Sequence, residues 1–174
     1  MTLAVHHSCD TAALRETPFA TGPQGQRLAN LIHQGVADGC RSAMRAVIMP
    51  GGHMAGAHRH PHHEVQVLVL QGYAASLVGE DMRPVLHRAG EAIRIPPGVP
   101  HAAVNLSASR PVTAIETITD PYSGDVALMP ELDAVAEQVA DQLRGERARE
   151  VVEYEGETIE QVFASLMQQW SVAS

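Results

Sequence analysis

Two stretches decide how this chain is read. Residues 52–72 run GHMAGAHRHPHHEVQVLVLQG, and residues 90–105 run GEAIRIPPGVPHAAVN. Of the 10 histidines in the chain, His53, His58, His60, His62, His63, His87 and His101 lie in or between these stretches. His58 and His60 are two apart, so in an extended segment both side chains leave the same face. Glu64 follows at a further even offset. One face can therefore present two imidazoles and a carboxylate, with His101 brought in from a distant strand. A set without thiolate that mixes imidazole with carboxylate does not read as a structural zinc site.

Outward from this centre the chain reads as short β-like runs at 28–33, 42–49, 64–70, 73–78, 82–87, 91–95, 101–106 and 111–118. Gly, Pro and polar residues break them at intervals of roughly 8–12 residues, the pattern of an antiparallel sandwich or barrel. Residues 1–26 have no sustained period and read as an N-terminal arm, 27–120 as an all-β core, and 121–174 as a helical tail. In 130–143, Leu132, Val135, Ala136, Val139, Ala140 and Leu143 share one helical face. In 158–170, Ile159, Val162, Phe163, Leu166, Met167 and Trp170 do the same. These stripes are expected to dock on the core or on a second subunit, without chemistry of their own.

Composition excludes several function classes. The chain has 174 residues and formal net charge −8. All 12 basic residues are arginine, which excludes lysine Schiff-base chemistry and a phosphate-loop lysine. Ten of the 20 acidic residues fall between Glu131 and Glu160, against Arg144, Arg147 and Arg149. No basic patch suits nucleic acid. No apolar run approaches the roughly 20 residues of a membrane span. Cys9 and Cys40 form no disulfide framework, and no signal peptide is indicated, so a cytoplasmic location is expected. His6 and His7 read as tail residues.

The two opening stretches resemble the double signature of the cupins. The second is complete: Gly90, five residues, Pro96, one residue, Gly98, two residues, His101, three residues, Asn105. The first has Gly52, five residues, His58, one residue, His60, three residues, Glu64, and closes on Gly72 after seven residues where the family usually has six. The resemblance implies a double-stranded β-helix, or jelly roll, with a C-terminal two-helix extension and one divalent transition metal. It implies His58, His60, Glu64 and His101 as ligands. Iron(II) is favoured, with zinc, nickel or manganese as alternatives. A β-bulge is one way to absorb the extra residue before Gly72; without one, the face taken by Glu64 is open, and His62 or His63 could substitute.

Three further residues are candidates for catalysis. Alternation places Val112, Ala114, Glu116 and Ile118 on one face. If that face is inward, Glu116 is a carboxyl in an apolar cavity and a general acid or base; otherwise it is covered by a helix or an arginine. Arg45 is in phase with Val47 and Met49, and clamps a substrate carboxylate if inward or pairs on the outside if not. Gln66 shares the face of Glu64 and would bond substrate or a metal-bound water. The expectation is a metal-dependent enzyme on a small organic molecule, an Fe(II)-type oxygenase first. Non-redox isomerisation, cyclisation or dehydration comes next, then a non-enzymatic ligand or metal sensor. A homodimer is expected.

Overall fold

Alternating inward and outward residues along the longer strands require two apolar faces to meet, and the chain supplies two sheets to do so. The computed structural model describes residues 12–33, 41–119 and 126–173. Cys9, Cys40, His6 and His7 lie outside the described residues, as do the side chain of Trp170 and residues 1–11 of the proposed N-terminal arm.

The strands are β1 (Ala20–Thr21), β2 (Arg27–Ile32), β3 (Ser42–Met49), β4 (His58–Arg59), β5 (Val65–Gln71), β6 (Tyr73–Val78), β7 (Arg83–Arg88), β8 (Ala92–Ile95), β9 (His101–Asn105), β10 (Val112–Thr119) and β11 (Ala127–Leu128). One sheet has the order β1-β2-β3-β10-β5-β8 and the other β11-β4-β9-β6-β7, with antiparallel pairing throughout. Each expected run of the all-β core has its strand. β1, β4 and β11 are two residues each, too short to show a period.

The inner faces of the sheets enclose a cavity. Val47, Met49, Val69, Ala74, Val112 and Ala114 form its packed apolar wall. The five-stranded sheet is covered on its outer face as well. There Ala57, Ala75, Leu77, Ala102 and Val104 pack against Ala136, Ala140 and Leu143 of α1 (Asp133–Glu146) and Val151 of α2 (Ala148–Tyr154). This double burial explains why β6 reads YAASLV with hardly a polar residue. The small residues Ala136 and Ala140, essentially without exposure, let α1 lie close on the sheet. A 3-10 turn at Pro130–Leu132 leads into α1, and the short α2 joins it at Arg147.

The last helix, α3 (Ile159–Ala173), packs on the core only in part. Val162 reaches the β7–β8 turn at Gly90, but Phe163, Leu166 and Met167 are exposed. Among the described residues no helix is long and apolar enough to cross a membrane.

Four acidic residues of the tail help to fasten it. The Asp133 carboxylate accepts from the Ala57 amide at 2.7 Å. Glu150 accepts from the Tyr73 hydroxyl at 2.8 Å, and Glu155 from the Ser107 hydroxyl. Arg88 pairs with Glu157 and lies 4.4 Å over the Tyr154 ring.

Candidate metal centre

β4 and β9 are neighbours in the five-stranded sheet, and their register sets His58 directly opposite His101. His60 follows just beyond β4, where its carbonyl accepts from the Gly98 amide at 2.8 Å. Gly98 has φ of +76°, a conformation glycine adopts without strain, so the Pro96–Pro100 turn can deliver that amide and then His101. The ring centroids stand 4.2 Å apart for His58 and His101, 5.1 Å for His58 and His60, and 5.4 Å for His60 and His101. One nitrogen from each ring lies within 4.8 Å of the others, and all three residues are buried.

The hydrogen bonds assign the tautomers. His58 Nδ1 is 2.8 Å from the Gly56 carbonyl and His101 Nδ1 is 3.0 Å from the Val99 carbonyl. A carbonyl only accepts, so Nδ1 carries the proton and Nε2 keeps a free lone pair. Burial lowers both imidazoles to about 4, with neighbouring His60 and Arg45 adding to the effect at His58 and His58 adding to it at His101. At neutral pH these two are therefore uncharged imidazoles oriented through their far nitrogens, the state a metal requires. The donor set fits a divalent transition metal.

Glu64 does not join this group, which corrects the four-ligand expectation. Its carboxylate accepts from Arg94 Nε at 2.6 Å and from Gln66 Nε2 at 2.7 Å, at the surface. Those hydrogen bonds, Arg94's first, hold its carboxyl below the usual range. The counted parity failed because the chain changes sheets between His60 and Val65: β4 belongs to one sheet and β5 to the other. An alternation carried across the Pro61–His63 turn loses its phase. Within β5 it is Val65, Val67 and Val69 that line the cavity, so Gln66 faces outward with Glu64. The expected bulge exists, where the register between β5 and β10 slips at Leu70, but it lies beyond Gln66 and leaves the phase of Glu64 unchanged. The position separated from Gly72 by six intervening residues is Val65, which is buried and in the cavity wall. His63 is buried too, but its Nδ1 is 2.6 Å from the Thr119 carbonyl and its ring centroid is 6.3 Å from that of His60. It is not part of the group, and His62 is exposed.

The structure brings Arg45 and Glu116 to the same cavity. They are direct cross-strand partners on β3 and β10, and Arg45 Nη2 donates to Glu116 Oε1. Burial pushes the Glu116 carboxyl up, against the pull of Arg45. Arg45 Nε is buried with no acceptor among the described residues. Sequence reasoning left His87 without a role. It is buried, lines the cavity, stands 3.4 Å from the Ser76 hydroxyl through Nε2, and is lowered to about 4 by burial. Its position opposite Ala74 on β6 was readable only once the β6–β7 hairpin register was known. Gln24 and Gln26, from the turn after β1, also reach the cavity, and no motif marks them. The cavity holds about 90 Å³. A single water needs about 10–15 Å³ by a comparable measure, and drug-sized ligands occupy about 300–1,000 Å³.

Comparison with known proteins agrees with this architecture. Residues 44–118 match the family described as Cupin domain. KdgF from a Halomonas species is 16% identical, with TM-score 0.57 over 67% of this chain and 98% of that one. An RmlC-like cupin from Shewanella frigidimarina is 19% identical, with TM-score 0.54 over 67% and 96%. Oxalate decarboxylase from Lactobacillus farciminis, in a formate complex, is 19% identical, with TM-score 0.56 over 74% of this chain and 39% of that longer one. No curated protein gives a significant match. The matched family, the two facing antiparallel sheets and the converging histidines identify residues 44–118 as a cupin domain, which a helical segment follows in the chain.

Proposed function

We propose that this protein is a metal-dependent enzyme acting on a small organic molecule, with one divalent metal held by His58, His60 and His101. The observation that carries the reading is the convergence of three buried imidazoles, two with Nδ1 committed to backbone carbonyls, on an apolar cavity. Iron(II) is favoured, because an all-imidazole set leaves several positions open for an oxygenase reaction on substrate and dioxygen, while zinc, nickel or manganese would supply Lewis acidity. The valine wall lowers the polarity around the centre. Arg45 fixes the orientation of Glu116, whose raised carboxyl is suited to hold or accept a proton beside the substrate. That buried acid–base group favours a second reading, a non-redox isomerase, cyclase or dehydratase. Oxalate decarboxylase from Lactobacillus farciminis is 19% identical to this chain and supports a small substrate only as a size class.

The reading includes a homodimer in the cytoplasm. α3 carries Glu160 as its single charged residue and exposes Phe163, Leu166 and Met167, so two copies can meet there without opposing the net charge of −8.

Elemental analysis of untagged protein purified without added metal tests the centre. About one metal ion per chain in the wild type, lost in His60→Ala and His101→Ala, is the expected result. Iron directs the next assay to oxygen consumption. Wild-type protein that takes up no divalent ion on reconstitution would overturn the metalloenzyme reading.

A further inference from the structure

We propose that the substrate of this centre is a small anion, which brings the negative charge that the protein withholds from the metal. The inference rests on the metal reading above and names the substrate class of that site.

The argument is one of charge and space. In this chain the cavity-facing position separated from Gly72 by six residues is Val65, paired with Ile95 on β8 and Ile118 on β10. The neighbouring Glu64 spends its charge on Arg94 at the surface. His58 and His101 are uncharged donors. Arg45 and Glu116 cancel one another through their ion pair. Among the described residues, a divalent ion at the three histidines therefore has no carboxylate beside it other than the one already neutralised by Arg45. Two uncompensated positive charges in an apolar cavity are costly, and an anion entering it relieves that cost. Arg45 Nε, buried and without an acceptor, offers such an anion a directed donor. The space of about 90 Å³ limits it to a few heavy atoms. A small mono- or dicarboxylate meets both requirements, and a neutral molecule of the same shape meets only the second.

Titration of the zinc-loaded protein with oxalate and with oxamide, its neutral isostere, separates charge from shape. Isothermal calorimetry and the rise in melting temperature are the readouts, and neither depends on turnover. Oxalate is expected to bind at least 30-fold more tightly than oxamide. Val65→Glu is expected to keep or raise zinc affinity and to weaken oxalate at least 10-fold, because the new carboxylate neutralises the centre. Glu64→Gln, on the outer surface, is expected to leave zinc and oxalate affinities within about twofold, and it keeps the test sound should Val65→Glu fail to fold. Zinc bound normally with oxamide equal to oxalate would overturn the anion proposal and leave the metal reading standing, as would oxalate bound undiminished by Val65→Glu. Zinc affinity lost in Glu64→Gln would overturn the three-histidine charge count. Failure of the wild type to bind zinc, iron(II), nickel or manganese would overturn both.

Discussion

Asn105 shows how one residue can hold a site that it does not enter. It is fully buried, and its amide nitrogen lies within 3.1 Å of the carbonyls of Met49, Pro50 and Arg110. Its carbonyl accepts from the Ser107 amide at 2.9 Å. The side chain thus ties the end of β3 and the loop before β10 to the end of β9. Asn105→Ala strands several buried backbone groups and should cost about 2–4 kcal/mol in denaturant unfolding. Asn105→Asp sets a carboxylate against three carbonyls and should cost at least as much, with metal stoichiometry retained in the protein that folds. A loss below 0.5 kcal/mol in both would show that water replaces the amide. At this scale the histidines were legible because identity and spacing alone place them. Glu64 and Gln66 were not, because their direction depends on a turn between two sheets whose parity no spacing encodes.

Among the elements, α1 and α2 pack on the five-stranded sheet, while α3 leaves much of its apolar stripe exposed. α1 buries Ala136, Ala140 and Leu143 against the five-stranded sheet. Ala140→Leu adds three carbons where there is no room, and should cost about 1–3 kcal/mol. Val152, at 75% exposure, is the control: Val152→Ala should change stability by less than about 0.5 kcal/mol. Thermal or urea melts of the two variants read the difference directly. On α3, Phe163→Asp should leave the monomer fold intact and, on the homodimer proposal, shift sedimentation from dimer toward monomer. Strand positions were legible since period-two runs broken by glycine and proline persist through β2 to β10. Docking of α1 on the core was legible too, but the exposure of α3 was not. The two apolar stripes look alike in sequence, and only the small residues of α1 permit the close approach that buries it.

For the whole molecule the buried histidines set the response to acid. Burial holds His58, His87 and His101 near 4 in the folded metal-free chain, against an ordinary 6.5. Between those values the unfolded chain takes up protons that the folded one refuses. Stability is therefore fully present above about pH 6.5 and is lost as pH falls toward 4, by at most on the order of 3 kcal/mol per histidine. Urea melts of chelator-treated protein at pH 7.5, 5.5 and 4.5 should show a falling midpoint, and replacing His87 by Asn should flatten the slope. A midpoint independent of pH over that range would show these rings to be protonated in the folded state.

The fastening of the tail reaches the first ligand strand. Asp133 accepts from the Ala57 amide, the Met129 amide donates to the Ala57 carbonyl at 2.8 Å, and β11 pairs with β4 opposite His58. The Gly56 carbonyl that orients His58 lies in the same short segment. Whatever steadies this segment at one end is felt at the other, and thermodynamic reciprocity then applies: the factor by which a seated tail tightens metal binding equals the factor by which bound metal tightens the tail. On the metal reading, limited proteolysis should cut the helical extension faster in metal-free protein than in metal-loaded protein.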